Sequence, residues 1–338
     1  MKIRSIHIHK LLLVLIPLLF ITVSLFMGRY PISFGMMAKV ILAKITGIGG
    51  EEIPDTIKTI VWDVRFPRAV MGALVGGSLA ISGASFQGVF RNPLVSSGIL
   101  GVSSGAGFGA ALSILIFKST AFSYIFAFVF GGIAVLLSYM IGRVYNTTPT
   151  VMLVLGGTVV SSVFSALISF AKYVADPYDQ LPTIVFWLMG SLASLRYQDM
   201  IAASIPMILG ILGLVAIRWR INILSMGDKE AQALGINMAF NKGLVIFCST
   251  LATAGAVCIS GMIGWVGLVI PHIGRMLFGN DNKVLLPASL SLGACFLILV
   301  DNIGRIITGS EIPLGILTAL VGGPFFVYLL KKTKGSAW

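Results

Sequence analysis

Residues 225–236 read SMGDKEAQALGI, a polar and helix-prone stretch that lies between long apolar segments. On both sides the chain stays apolar over roughly 20 residues or more, the length that a helix needs to cross a bilayer. These segments predict an all-α integral membrane protein. A membrane chain that places a compact amphipathic helix on one side of the bilayer offers it to a partner, so the stretch also predicts a partner protein.

The composition supports a membrane protein over the whole chain. Of 338 residues, 57% are hydrophobic and 11% are charged, whereas a soluble domain has about 25% charged residues. A soluble catalytic domain has no place here, and we expect a single transmembrane domain over residues 1–338. The net charge of +12 would suggest nucleic acid in a soluble chain. Here the excess of basic residues in cytoplasmic loops accounts for it, so we expect lipid and no nucleic acid.

Hydropathy and turn signals predict about ten transmembrane helices. The eighth is short and contains Pro271, so we expect it to be bent or broken. The first resembles a secretory signal, but no small-residue cleavage site follows it before Arg29, which predicts an uncleaved span. The predicted spans are 11–28, 67–89, 97–117, 121–143, 149–172, 197–218, 241–262, 264–279, 283–303 and 312–331.

The distribution of charge predicts the orientation. With the N-terminus inside, 14 of the 24 Lys and Arg residues but only 3 of the 12 Asp and Glu residues lie on the inner side. This bias places both termini and the segment 225–240 in the cytoplasm. Residues 29–66 then form the longest outer segment, with a surface helix over about 33–45. A second outer segment, 173–195, predicts a short re-entrant or interfacial helix.

The sequence RNPL at 91–94 lies at the inner end of the second span. A proline ends the helix and restricts the residue before it, which predicts a tight cytoplasmic turn. Two interpretations stay open. The segment is an ordinary turn, or it is a gate in which Asn92 and Leu94 project toward the transport axis.

Basic residues also lie at the predicted outer mouth, where they are unusual. Arg65 and Arg68 lie at the outer mouth of the second span, and Asp301 and Arg305 lie near the outer end of the ninth. An arginine cluster is a natural receptor for carboxylates, which favours docking of a partner over simple interface anchoring. Asp301 and Arg305 are four residues apart, so an intrahelical pair is the simpler interpretation for those two.

Several catalytic and metal-binding signatures are absent from the sequence. The chain has no GxxxxGK[ST], HExxH or GxSxG motif, and its three cysteines have no CxxC spacing. His272 has no second ligand at metal-binding spacing. We therefore expect a non-enzymatic chain that binds no metal or cofactor. Mid-membrane carboxylates suited to a proton relay are also missing, so the chain has no evident energy source of its own.

Several motifs in order over residues 60–331 closely resemble the FecCD family, the ten-helix permeases of type II ABC importers that include the vitamin B12 permease. The resemblance rests on RFPR at 65–68, RNPL at 91–94, WLMGS at 187–191, GWVGLVIPH at 264–272 and IPLG at 312–315. It implies the type II ABC importer permease fold. It also implies a dimer with a second copy or a close paralogue, in a prokaryotic inner or plasma membrane. Two cytoplasmic ABC ATPases would carry ATP and Mg, and a substrate-binding protein would dock outside.

The resemblance also implies roles for residues. The ATPase-coupling residues would be Gly227, Glu230, Ala231, Leu234 and Gly235. The residues that dock the binding protein would be Arg65, Arg68 and Arg305. The gate would consist of Asn92 and Leu94, with a second layer at Thr148 and Thr150.

The cargo is open at this point. An iron chelate such as a siderophore or haem is the first expectation, and cobalamin or molybdate and tungstate stay as alternatives. A self-powered secondary transporter or channel is the alternative class. It predicts transport without a partner and ion-coordinating groups at the membrane centre.

Overall fold

The computed structural model describes residues 2–47, 52–143, 149–193, 195, 197–307 and 310–332. Within these residues the chain is all-helical and contains no strand. The α-helices are α1 Lys2–Phe26, α2 Phe34–Thr46, α3 Asp55–Thr59, α4 Phe66–Phe90, α5 Val102–Phe117, α6 Ser123–Gly142, α7 Thr150–Val174, α8 Gln180–Met189, α9 Tyr197–Met226, α10 Asp228–Ala233, α11 Met238–Ser260, α12 Val266–Phe278, α13 Asn282–Ile306 and α14 Leu314–Lys332.

Each of the ten predicted spans contains a helix, which confirms the predicted fold class. In the described part of the chain, six helices are long and apolar enough to cross a bilayer: Asp55–Phe90, Ser123–Gly142, Thr150–Val174, Asp199–Met226, Met238–Ser260 and Asn282–Ile306. The other predicted spans correspond to shorter apolar helices within α1, α5, α12 and α14. Helices are also present in both segments predicted to lie outside, as α2 and α8.

Three spans are clearly longer than predicted. The first begins at Lys2 rather than at residue 11. The second begins at Asp55 and runs through a π-helical segment, Ile60–Arg65, into α4. The sixth continues to Met226. Charged residues near these ends stop an apolar window, but they do not stop a helix, because a charged side chain near the membrane surface can pair or reach water while its backbone stays helical.

Helix α4 is the centre of the bundle and packs against α9, α11, α12 and α13. Its glycines allow this close approach. A Cβ atom at Gly83 would lie 1.8 Å from the carbonyl oxygen of Gly267, and one at Gly76 would lie 2.2 Å from that of Gly293. Small residues at such contacts let membrane helices pack closely where no hydrophobic drive exists between them.

Non-helical segments join α8, α11 and α14. The Ser191 N–H donates to the Ser260 carbonyl oxygen at 2.8 Å, and the Leu314 N–H donates to the Gly190 carbonyl oxygen at 2.8 Å. Backbone polar groups inside a membrane protein need partners of this kind, because lipid offers none. The predicted eighth span is correspondingly short: α12 begins only at Val266, contains Pro271 and ends at Phe278.

Candidate translocation path and coupling surface

Predicted gate residues come together at one cleft of about 570 Å³, which Asn92, Leu94 and Thr150 all line. The turn at its edge forms because α4 ends at Phe90 and Arg91 takes a left-handed backbone conformation, φ 49°. The Asn92 Oδ1 atom then accepts the Leu94 N–H at 2.9 Å. The tight turn is confirmed. Thr148, the other residue of the second layer, lies outside the described residues.

A buried glutamine holds this turn against α12. The Gln87 amide nitrogen donates to the carbonyl oxygens of Val95 at 2.9 Å and Gly267 at 3.3 Å. Arg275 donates to the Gln87 side-chain oxygen. No role for Gln87 was predicted from the sequence. A signal was available, because an amide in an apolar helix must find hydrogen-bond partners.

Helix α7 exposes a row of hydroxyl groups. Thr158, Ser162, Ser165 and Ser169 are all exposed, and their spacing of four, three and four residues puts them on one face. Thr158, Ser162 and Ser169 donate to carbonyl oxygens of their own helix at 2.8, 2.9 and 3.0 Å. A membrane-spanning helix gains nothing by turning hydroxyls toward lipid, so this face suits a protein contact or a water-filled path.

The hydroxyl face runs from the gate cleft toward the other end of α7. Thr150 and the exposed residues Val151 and Leu155 line the cleft at the start of the helix. Lys172, in the last turn, follows Ser169 by three residues and is half-buried. A cleft, a polar face and a cation therefore follow one another along a single helix.

The predicted coupling residues divide into two groups. Glu230, Leu234 and Gly235 are exposed in and after α10, and Leu234 has 60% of its surface exposed. Gly227 and Ala231 are buried. The geometry therefore lets the first three contact a partner, while the other two pack the segment against its own chain.

A buried lysine fixes the start of α10. The Lys242 ammonium, whose side chain is only 1% exposed, lies 2.9 Å from Asp228 Oδ2. Sequence reasoning counted both residues as cytoplasmic charges and missed the pair. The available signal was a lysine inside the first turns of an apolar helix, where a partner is needed.

At the opposite end of the bundle, Arg68 forms a double fork with two carboxylates. Its Nε and Nη2 atoms donate to Asp301 at 3.0 and 2.8 Å. Its Nη1 and Nη2 atoms donate to Glu311 at 2.9 Å each. Bidentate pairs of this kind are strong and directional. They join α4, the end of α13 and the segment that leads into α14.

The two other arginines of this cluster also have partners within the chain. Arg65, only 3% exposed, donates to the carbonyl oxygens of Leu25 at 2.7 Å and Tyr30 at 2.5 Å. Arg305 donates to the Ser24 hydroxyl at 3.0 Å and to the Asn302 side chain. These contacts bind the π-helical segment before α4, and α13, to the end of α1 and the residues just after it.

Arg305 also forms the intrahelical pair that its spacing predicts. Its Nε atom lies 3.2 Å from Asp301 Oδ2, an ion pair without hydrogen-bond alignment. All three predicted docking arginines are thus buried and engaged with their own chain. Their role in docking stays a prediction, and it would require these contacts to open.

Glu311 is the most accessible carboxylate of this cluster, with 29% of its side chain exposed, against 2% for Asp301. Burial opposes ionisation of Glu311, but the hydrogen bonds and charge of Arg68, helped by Arg29 and Arg305, outweigh it and lower the pKa of this carboxyl. The group is therefore ionised at neutral pH.

A bundle of membrane-spanning helices with a cleft at one end and an exposed polar helix face is typical of a multi-pass transport subunit. The sequence profile of the FecCD transport family matches residues 13–332. The molybdate import system permease protein MolB of Haemophilus influenzae is 42% identical over 327 residues, covering 96% of this chain and 96% of that protein. The "probable iron chelatin transport system permease protein" of Helicobacter pylori is 42% identical over 282 residues, covering 83% and 85%.

A solved structure gives the same result at the level of the fold. It is described as a metal-chelate type ABC transporter in an inward-facing conformation. Its chain superposes with a TM-score of 0.84 at 39% identity, covering 96% of this chain and 98% of that one. The chain belongs to the FecCD transport family. It is the membrane-spanning permease component of an ABC importer.

Proposed function

We propose that two copies of this chain form an import path between facing α7 helices. The observation that carries the proposal is the exposed hydroxyl face of α7, which runs into the cleft lined by Asn92, Leu94 and Thr150. One copy provides only one wall of a path. A second copy related by twofold symmetry supplies the other, because identical faces are self-complementary about such an axis.

The cargo that we propose is a small metal oxyanion of the molybdate class. Hydroxyl groups that rotate away from the carbonyl oxygens of their own helix can donate hydrogen bonds to an oxyanion, and Lys172 adds a positive charge at the far end of the same face. The support from relatives is the identity with the molybdate permease, which extends over nearly the full length of both chains. An iron chelate, the first expectation from sequence, is the second candidate, since the H. pylori relative is equally identical over a shorter length.

We propose that energy enters at α10. The segment from Gly227 to Gly235 lies on the cytoplasmic side, and the exposed residues Glu230 and Leu234 seat in a cleft of the partner ATPase. ATP-driven movement of this segment shifts the turn at 91–94, and the gate alternates between two states. The permease contributes differential stability of these states rather than bond chemistry.

We propose that the binding protein docks at the opposite end by carboxylate exchange. An incoming carboxylate would displace Glu311, the accessible member of the cluster, from Arg68, with Arg65 and Arg305 adding positive potential. Glu311→Gln should then strengthen docking, because it weakens the internal competitor. Charge reversal at Arg65 and Arg68 should weaken docking, with a larger effect at low salt.

The central test is transport by the reconstituted complex. Liposomes that carry the permease and the ATPase, supplied with the binding protein, should import labelled molybdate only when ATP reaches the ATPase. Excess tungstate should compete with molybdate for import. Import of a ferric chelate that molybdate does not inhibit would favour the second candidate. Transport by the permease alone would overturn the ABC mechanism for this chain.

The two-copy path has its own test. The three native cysteines are buried, so they can be replaced by alanine to give a background for Ser162→Cys. Oxidation should link two copies through this position. The control is Ser119→Cys, at an exposed site outside α7. Equal linking at both positions would contradict the facing arrangement.

A further inference from the structure

A groove of about 750 Å³ runs along the outside of the bundle between α1, α4, α9 and α13. Most of its lining is aliphatic, including Val14, Leu18, Leu74, Ile208, Leu290 and Ala294. Arg218 and Lys283 also line it. No step of the import mechanism proposed above uses this groove.

Both cations lie at the same end of the groove, which is the end that carries α10. Arg218 lies two turns before the end of α9, and Lys283 lies in the first turn of α13. The Asn222 side chain joins these two helix ends, since it donates to Asp281 at 2.6 Å and accepts the Asn282 N–H at 2.7 Å. The groove is therefore apolar along its length and basic at one end.

Aromatic and acidic neighbours define this basic end further. Trp219 is 45% exposed, and tryptophan concentrates at the level of the lipid headgroups. Asp281 also lies near both cations. Hydrogen bonds from the Asn222 side chain and the Lys283 backbone lower the pKa of Asp281, so it is ionised. Two positive charges and one negative charge leave a net charge of +1.

We propose that this groove binds one anionic glycerophospholipid, with its acyl chains along the aliphatic lining and its phosphate group between Arg218 and Lys283. Basic pockets between membrane helices on the cytoplasmic side are suited to anionic headgroups. The net charge of the site matches a single phosphodiester.

A second groove on the same molecule provides an internal comparison. It lies between α6 and α11, measures about 480 Å³ and is lined by apolar and uncharged polar residues, among them Phe128, Leu136, Tyr139 and Phe247. Acyl chains suit this groove as well, but its lining offers no cation for a phosphate. We therefore expect headgroup selectivity only at the first groove.

The test compares phosphatidylglycerol with phosphatidylcholine of identical acyl chains. Purified full-length permease is equilibrated with equal amounts of both lipids in detergent, and retained lipids are counted by native mass spectrometry. Wild-type protein should retain phosphatidylglycerol in clear excess. Arg218→Gln with Lys283→Gln should reduce that preference about 25-fold, because each basic residue near an anionic headgroup contributes roughly fivefold.

The matched control removes two charges elsewhere. Lys39→Gln with Lys118→Gln changes exposed lysines on α2 and at the end of α5 and should leave the preference unchanged. Asp281→Asn keeps a residue suited to cap α13 and should raise retention of phosphatidylglycerol. Equal retention of the two lipids by wild-type protein would overturn the proposal without any variant.

The apolar part of the groove is tested separately. Ala73→Phe places a ring in the groove and should remove the selectively bound phosphatidylglycerol. Gly132→Phe, which fills the second groove, should not. If Ala73→Phe instead separates permease copies and leaves lipid retention intact, the groove is a protein interface and the proposal is wrong.

Discussion

The two ends of this bundle use charge in opposite ways. At the end that carries Arg68, buried arginines and carboxylates bind α1, α4 and α13 to one another through several hydrogen bonds. At the end that carries α10, the six-residue helix is largely exposed and is fixed through the pair of Lys242 with Asp228. One end is built to hold its shape. The other leaves most of α10 exposed, which the proposed contact with an ATPase would require.

The two ends also show two roles of a charged residue in a membrane protein: a buried residue is paired within the fold, and an exposed residue is available to a partner. A buried ionic network is expensive to desolvate, and removing one partner from it leaves an uncompensated buried charge. An exposed charge contributes little to stability and is available to a partner. Residues at the Arg68 end should therefore respond to mutation through stability, and exposed residues of α10 through partner binding.

The largest effect is expected for Arg68→Ala. The substitution leaves Asp301, only 2% exposed, without its bidentate partner and should destabilise the protein by about 3–5 kcal/mol. The measurement is thermal or denaturant unfolding of the purified permease in detergent. Lys58→Ala breaks an exposed pair with Asp55 and should cost less than about 1 kcal/mol. Equal losses of unfolding free energy in the two variants would show that the buried network contributes no more than an exposed ion pair.

Asp228→Ala should produce the next largest effect. Lys242 would lose the carboxylate at 2.9 Å while its ammonium stays buried, and hydrogen bonds to charged groups contribute about 1.5–3 kcal/mol. Because the loss is local to α10, ATPase co-purification should fall together with stability. Lys229→Ala, at the exposed neighbouring position, serves as the control. A normal ATPase interaction in Asp228→Ala would mean that this pair does not position the segment.

Two glycines with similar backbone conformations allow the two ends to be compared, because replacing either one should cost a similar free energy of unfolding. Gly235 follows α10 and Gly47 ends α2, with φ values of 75° and 72° and open space around both. Alanine at either position should cost about 1–2 kcal/mol, because a Cβ disfavours the left-handed conformation. Only Gly235→Ala should also reduce ATPase binding. A similar reduction in Gly47→Ala would assign the effect to general destabilisation.

A smaller and pH-dependent effect is expected at Glu311. Its pKa is lowered in the folded state, so its contribution is present above the unperturbed value and is lost as the pH falls through the lower folded value. Glu311→Gln should cost less than about 1 kcal/mol at neutral pH, since the side chain is partly exposed. The variant should also lose less stability than wild type between pH 5 and pH 3, as measured by unfolding midpoints. Parallel pH profiles would contradict the role of this carboxyl.

The same contrast explains what the sequence could and could not predict. Apolar length and turn residues are local signals, and they predicted the ten helices, α2, α8 and the turn at 91–94. The proximity of Asn92 and Leu94 was also accessible from motifs, since the two residues lie in one turn, while their role as a gate stays a prediction. The partners of the buried charges were not, because Arg68 and Glu311 are 243 residues apart and only the folded bundle brings them together.

The second and sixth spans were each predicted too short at one end. Charged residues such as Arg65 and Arg218 suggested that spans stop there, and the structure carries the helices past them. A hydropathy pattern measures the cost of placing a charge in lipid, but it contains no information on whether the fold supplies a partner. The polar pattern of residues 225–236 did indicate an exposed helix, because exposure in α10 depends on no distant residue. The contact of this helix with a partner stays a prediction.

The smallest effect on stability, and the sharpest on function, is expected for Leu234→Ala. Leu234 is 60% exposed, so its truncation should change stability by no more than about 0.5 kcal/mol. If the proposed coupling is right, ATPase co-purification and ATP-driven import should nevertheless fall, because the truncated side chain no longer fills its pocket on the ATPase. Leu42→Ala on α2, where the residue is 58% exposed, is the matched control and should change neither. Unchanged import in Leu234→Ala would remove α10 as the site where force enters the permease.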